Sequence, residues 1–269
     1  NNGIGGWMFY ETIIENIQLP QNATLIGPSA FAYSSLKSIT IPNAVTSIGG
    51  NAFVGCASLV NVTIPEGVTE IPASAFSSCT SLTSISIPSS VTEIAFRAFN
   101  GCSSLSSVII GNGVTSIGDN AFEDCSYLAS INLPDALTSI GSAAFHNCSS
   151  LASIYIPDAV ATIGNGAFYG CTILKSVEFS SESSLTLIDE LTFRECSSLI
   201  SISIPDAVTE IASSAFYECS SLVSAIVGSG VTSIGDNAFY HCTSLESLNL
   251  PDALTSIGRN AFTSSSKLE

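Results

Sequence analysis

Cys56, Cys79, Cys102, Cys125, Cys148, Cys171, Cys196, Cys219 and Cys242 recur at a spacing close to 23 residues and use up every cysteine in the chain. Thiols in such number raise the question of disulfides or a metal centre. A disulfide needs two side chains turned toward each other, whereas a ladder of equivalent positions turns them alongside one another, and nine is an odd number. A zinc-type centre needs ligands at CxxC or HxxxH spacing, and neither spacing occurs. Cysteine is also small and commonly buried. The expected state is a column of buried free thiols, with no metal and no cofactor, and the cysteine count leaves the redox compartment open.

The other reactive side chains are sparse. His146 and His241 stand beside the Phe-to-Cys turn, where the repeat predicts exposed loop and no catalytic partner. Neither Gly111-Asn112-Gly113 nor Gly3-Ile4-Gly5-Gly6 opens a long helix, so a phosphate cradle is not expected. Glu66, Asp135, Asp158, Asp206 and Asp252 form a partial acidic ladder, read as a solvated rim; Ca²⁺ is the alternative, but it needs several oxygens converging on one point. A threonine column runs from Thr24 through Thr115 and Thr138 to Thr255. Regular hydroxyls of this kind could order water as ice-binding solenoids do, although threonine also favours strand edges.

Elements that would position these groups follow from the same period. Phe31, Phe53, Phe76, Phe99, Phe122, Phe145, Phe168, Phe193, Phe216, Phe239 and Phe262 return in step with the cysteines, nearly always after alanine. A fixed period in this range marks a solenoid. In one unit, Leu59, Val62, Ile64, Val68, Ile71, Ala75, Phe76 and Cys79 are the inward positions. Leu-x-x-Ile-x-Ile reads as a short strand ended by a proline that has no N–H to donate. Val-Thr-x-Ile reads as a second short strand, and Gly, Asp, Asn or Ser before Ala-Phe reads as a capped one-turn helix or 3₁₀ segment.

This divides the chain into an N-terminal flank, residues 1–13, and a single domain of eleven coils over residues 14–268, with a two-residue insertion near 180–184. One coil cannot bury enough apolar surface to order itself, so stability comes from stacking. Near-identical segments, Gly113–Phe122 with Gly230–Phe239 and Asn132–Gly141 with Asn249–Gly258, are both 117 residues apart and point to a segmental duplication of building units.

The unit Leu-x-x-Ile-x-Ile-Pro-x-x-Val-Thr-x-Ile-Gly-x-x-Ala-Phe-x-x-Cys-x-Ser resembles the BspA-like class of leucine-rich repeat over essentially residues 14–268, with Gly111 and Gly228 in place of the usual proline. The resemblance implies a curved right-handed solenoid with a parallel sheet on its concave face. It also implies a secreted or surface protein that attaches to host proteins or other cells.

Composition bounds the partners. At 46% hydrophobic residues the chain can bury a large interior, and 22 acidic against 6 basic residues give a formal charge of −16, which repels nucleic acid. No apolar run is long enough for a membrane helix. The start, Asn1-Asn2-Gly3, has neither an initiator Met nor a signal segment, as in a processed chain or an excised fragment. The leading expectation is a non-catalytic extracellular or cell-surface module that binds a protein or glycan partner. Its candidate site is Tyr155, Lys175 and Glu178, an aromatic and two charges on adjacent coils of an otherwise bland strand face, beside the insertion. Tyr169, Tyr217 and Tyr240 form a second patch on the turn side. The alternative is a structural scaffold subunit that self-associates through its solenoid ends; ice binding through the threonine column is the remote reading.

Overall fold

Alternating β-branched residues in each unit produce strands too short to stand alone, and each finds its hydrogen-bonding partner one coil away. The computed structural model describes residues 2–268 as a parallel β-solenoid with two strands in nearly every coil. The first strand of successive coils includes Ser84–Ile87, Ser107–Ile110, Ser153–Ile156, Ser176–Phe179, Ser201–Ser203, Ser224–Ile226 and Ser247–Asn249. The second is a two-residue strand such as Glu93–Ile94, Ser116–Ile117 or Ser139–Ile140. Every pair is parallel and joins equivalent residues of neighbouring coils, as in Val108 with Ile85 and Ile117 with Ile140. In the coil that begins at Leu128 (coils are named by their first leucine) the first strand shrinks to a single bridge, between Ile131 and Val108.

Side-chain alternation along the first strands sets the two faces. In Ser153–Ile156 the residues Ile154 and Ile156 are buried while Ser153 and Tyr155 face solvent. The inward leucine, isoleucine, valine, phenylalanine and cysteine columns merge into one continuous core. Phenylalanine forms its spine: from Phe9 through Phe31 to Phe262, successive rings stack nearly parallel with centroids 4.9–5.5 Å apart.

Residues ahead of the first coil continue this pattern. Gly3–Ile4 pairs with Leu25–Ile26, and the Phe9 N–H donates to the Ala30 carbonyl while its ring stacks on Phe31. Residues 3–12 thus contribute the second half of a coil to the stack.

The one-turn helical or 3₁₀ segments expected around Ala-Phe are absent: among the described residues there is no helix. The backbone explains why. Residues two before and two after the phenylalanine take left-handed dihedrals, for example Asn51 (φ 58°) and Gly55 (φ 68°) around Phe53. Alternate N–H groups point out of the coil, so that Asn51, Phe53 and Gly55 donate to Ala73, Ala75 and Ser77 of the next coil, while Ala52, Val54 and Cys56 close local turns to Gly49, Asn51 and Phe53. A helix would direct all these donors along one coil. The Asn, Asp, Ser and Gly residues that resemble helix caps in the sequence occupy left-handed turn positions, which the same residue types favour.

Candidate binding groove

The two extra residues of the Leu174 coil enlarge the loop after Ser176–Phe179, and that loop becomes the wall of a groove. It is a folded wall. The Ser180 hydroxyl accepts the Glu182 N–H and the Ser183 hydroxyl accepts the Leu185 N–H, each at 3.3 Å, while the Ser180 and Ser184 N–H groups donate to Ile156 and Asp158 of the previous coil. The insertion is absorbed in the register, which steps from Ser176 to Ser201 without breaking the sheet.

The groove lies over the sheet formed by strands Ser153–Ile156 through Ser247–Asn249 and has a volume of about 1080 Å³. Tyr155 and Glu178 are direct register partners on its floor. Ile226 joins them, and Tyr155 and Ile226 remain 49% and 53% exposed. The turns bearing Asp206 and Asp252 follow the first strands of later coils, on the same edge of the parallel sheet as the insertion. Asp206 is held in place: its Oδ1 accepts the Ser229 N–H at 2.7 Å, and this hydrogen bond lowers its carboxyl pKa. Four carboxylates, Glu178, Glu182, Asp206 and Asp252, line the groove, and no basic side chain does.

Of the three site residues read from the sequence, the fold brings Tyr155 and Glu178 together and leaves Lys175 outside the lining. Lys175 is exposed just before its strand, with its backbone committed to Ala152 and Ile200 on either side. Ile226 and Asp206 also line the groove. Asp206 belongs to the acidic ladder expected to be a solvated rim, Ile226 carries no signal of its own in the sequence, and only the insertion singles out which coils matter.

The tyrosines of the turn side belong to a different assembly. Stacked along the position after each phenylalanine are His146 on Tyr169 (4.8 Å) and Tyr217 on Tyr240 (4.9 Å), with the Arg194 guanidinium between Tyr169 (5.3 Å) and Tyr217 (4.5 Å). His146 is therefore half-buried, contrary to the exposed loop expected of it, and its Nδ1 lies 3.1 Å from Glu123 Oε1. The other Glu123 oxygen accepts from Asn100 and Asn120. Ring faces here are turned to one another, so the column clamps coils together and offers edges to solvent.

The remaining candidate chemistry resolves into structure. All nine cysteines are buried free thiols. Burial pushes the thiols up, to about 12 for Cys102, Cys171 and Cys242. Threonine hydroxyls donate across coils, Thr115 to the Thr92 carbonyl (3.1 Å) and Thr138 to the Thr115 carbonyl (2.9 Å), which engages the donors that an ice-ordering array would present. Among the described residues no three His, Cys, Asp or Glu side chains form a metal-holding group, and no helix is long and apolar enough to cross a membrane.

With this geometry in view, the likeness to known proteins is direct. The family model described as BspA type Leucine rich repeat region (6 copies) matches residues 2–129, 69–196 and 138–269. A leucine-rich repeat protein from Bacteroides ovatus is 34% identical, with a TM-score of 0.88 over 99% of this chain and 68% of its own. One from Eubacterium ventriosum is 25% identical, with a TM-score of 0.57 over 97% of this chain and 67% of its own. The pneumococcal vaccine antigen PcpA is 20% identical with a TM-score of 0.62, covers 96% of this chain and 66% of its own, and shares the fold alone. No curated protein matches the chain.

Proposed function

We propose, on the premise that this chain belongs to the BspA-type leucine-rich repeat family, that it is a non-catalytic recognition module working at the cell surface or outside the cell. The observation that carries this reading is the groove at the insertion. There two extra residues lengthen the period, and they build a wall beside an exposed aromatic and a charge in register. A rigid repeat scaffold with a locally modified face suits contact with a protein or glycan. The chemistry-bearing columns support the same conclusion, because thiols, threonines and the His146–Glu123 pair are each spent on joining coils.

The test is capture of partners from native extracellular material and membrane extracts, using the chain as bait and a variant with Tyr155→Ala, Lys175→Ala and Glu178→Ala as comparison. Loss of a salt-resistant partner on substitution supports recognition through this face. Equal recovery by both baits removes Tyr155, Lys175 and Glu178 as the site.

A further inference from the structure

The groove floor is an unpartnered sheet face, and its charge is one-sided. Glu178 lies on the floor, Glu182 on the insertion wall, and Asp206 and Asp252 on the equivalent turns of later coils, with no Lys, Arg or His among the lining residues. These carboxylates are spread along the groove instead of converging, and among the described residues no metal-holding group forms. A single bound cation would therefore neutralise one of them and leave the others. What complements spaced negative charges over a floor that exposes Tyr155 and Ile226 is a chain with spaced positive charges and apolar side chains between them. Anionic polymers are repelled, and a neutral glycan would leave all of the carboxylates without counter-charge.

Spacing supports a polypeptide. Asp206 and Asp252 lie two coils apart, about 10 Å at ~4.8 Å between paired strands. A polyproline II segment presents every third side chain on one side at about 9 Å. The site is also preformed. Asp206 is fixed by the Ser229 N–H, and the insertion wall is held by the Ser180 and Ser183 hydroxyls; little ordering is left to oppose binding.

We infer that this face docks an extended, basic polypeptide segment, with Lys or Arg at intervals of about three residues opposite the groove carboxylates and apolar side chains against Tyr155 and Ile226. The inference rests on the recognition reading above and names its partner class.

Fluorescence anisotropy of labelled (Lys-Pro-Leu)4 and (Glu-Pro-Leu)4 peptides with the full chain tests it. The expected result is binding of the lysine peptide alone, weakened by salt. The triple variant Glu178→Gln, Asp206→Asn, Asp252→Asn should weaken it at least tenfold. Asn at 206 keeps an acceptor for Ser229, and a melting curve checks the variant's fold. A control of equal charge change outside the groove, Glu70→Gln, Glu93→Gln, Glu210→Gln, should change affinity less than twofold; Tyr155→Ala should weaken it. Equal weakening by the two triple variants would assign the binding to general acidity and overturn the inference. Failure of the lysine peptide while a captured protein or glycan still depends on Tyr155 would overturn the basic-segment assignment and leave the recognition reading standing. Failure of both would remove the two together.

Discussion

The Cys148 thiol donates to the Phe122 carbonyl of the preceding coil across 3.2 Å, and the Phe122 ring stacks on Phe145 of the cysteine's own coil at 5.5 Å. Cysteine and phenylalanine columns are thus one joint, repeated from Cys56 to Cys242. At the C-terminal coil Ser265 takes the cysteine's place, its hydroxyl donating to Phe239 at 2.9 Å.

Removing a ring should therefore damage two interfaces. Phe145 lies between Phe122 and Phe168 at 5.5 and 5.4 Å, fully buried. Phe145→Ala is expected to cost about 3–5 kcal/mol by urea denaturation. A cost below about 1 kcal/mol would mean that neighbouring coils close over the gap.

Thiol protonation ties stability to alkaline pH. Burial raises Cys102, Cys171 and Cys242 from 9.0 to about 12, so the folded chain keeps protons that the unfolded chain releases. This contribution is complete below the unfolded thiol pKa and is lost as pH rises from about 9 toward 12. Melting temperature should fall across that window, and less steeply in a Cys102→Ala, Cys171→Ala variant measured against its own value at pH 7. In the native chain near neutral pH, thiol reagents should label none of the cysteines, and in denaturant all nine. Rapid native labelling would contradict the buried column.

Left-handed turn positions give a stabilising substitution. Ala143 sits at φ 52°, two residues before Phe145, where Asn120 and Gly166 stand in neighbouring coils. Ala143→Gly removes a Cβ penalty of about 1–2 kcal/mol, partly offset by the greater freedom of glycine in the unfolded chain. A net gain of about 0.5–1 kcal/mol is expected from chemical denaturation; a loss would show that the turn tolerates alanine without strain.

Arg194 offers a test of planar stacking. Its guanidinium lies 4.5 Å from the Tyr217 ring centre and 5.3 Å from that of Tyr169. Arg194→Lys keeps the charge and loses the flat surface, and should cost about 0.5–1 kcal/mol. Equal stability of the two side chains would assign the contact to charge alone.

Much of the architecture was legible in the order of residues. A period of 23 places Leu82 over Leu59 and Phe99 over Phe76, and the register of Ser107 with Ser84 follows from the same offset. The insertion was visible as a lengthened unit, and the pairing of Tyr155 with Glu178 as adjacent members of one outward column. The turn around Ala-Phe was not legible, because Asn and Ser serve both helix caps and left-handed turns, and a single coil contains nothing that separates the two. What separates them is the next coil, which takes the N–H groups of Asn51 and Phe53.

By itself, then, the sequence determined the repeat, the inward and outward columns, the buried thiols and the excess of negative charge, since each is a property of periodicity or composition. Only the tertiary structure decided that Lys175 stays out of the groove, that Asp206, Asp252 and Ile226 line it, and that His146, Tyr169, Arg194 and Tyr217 stack into a clamp. The physical reason is that a column index says which residues are neighbours along the solenoid but not how far each side chain leans from its coil. That is set by the loop conformations and inter-coil hydrogen bonds that form when the coils stack.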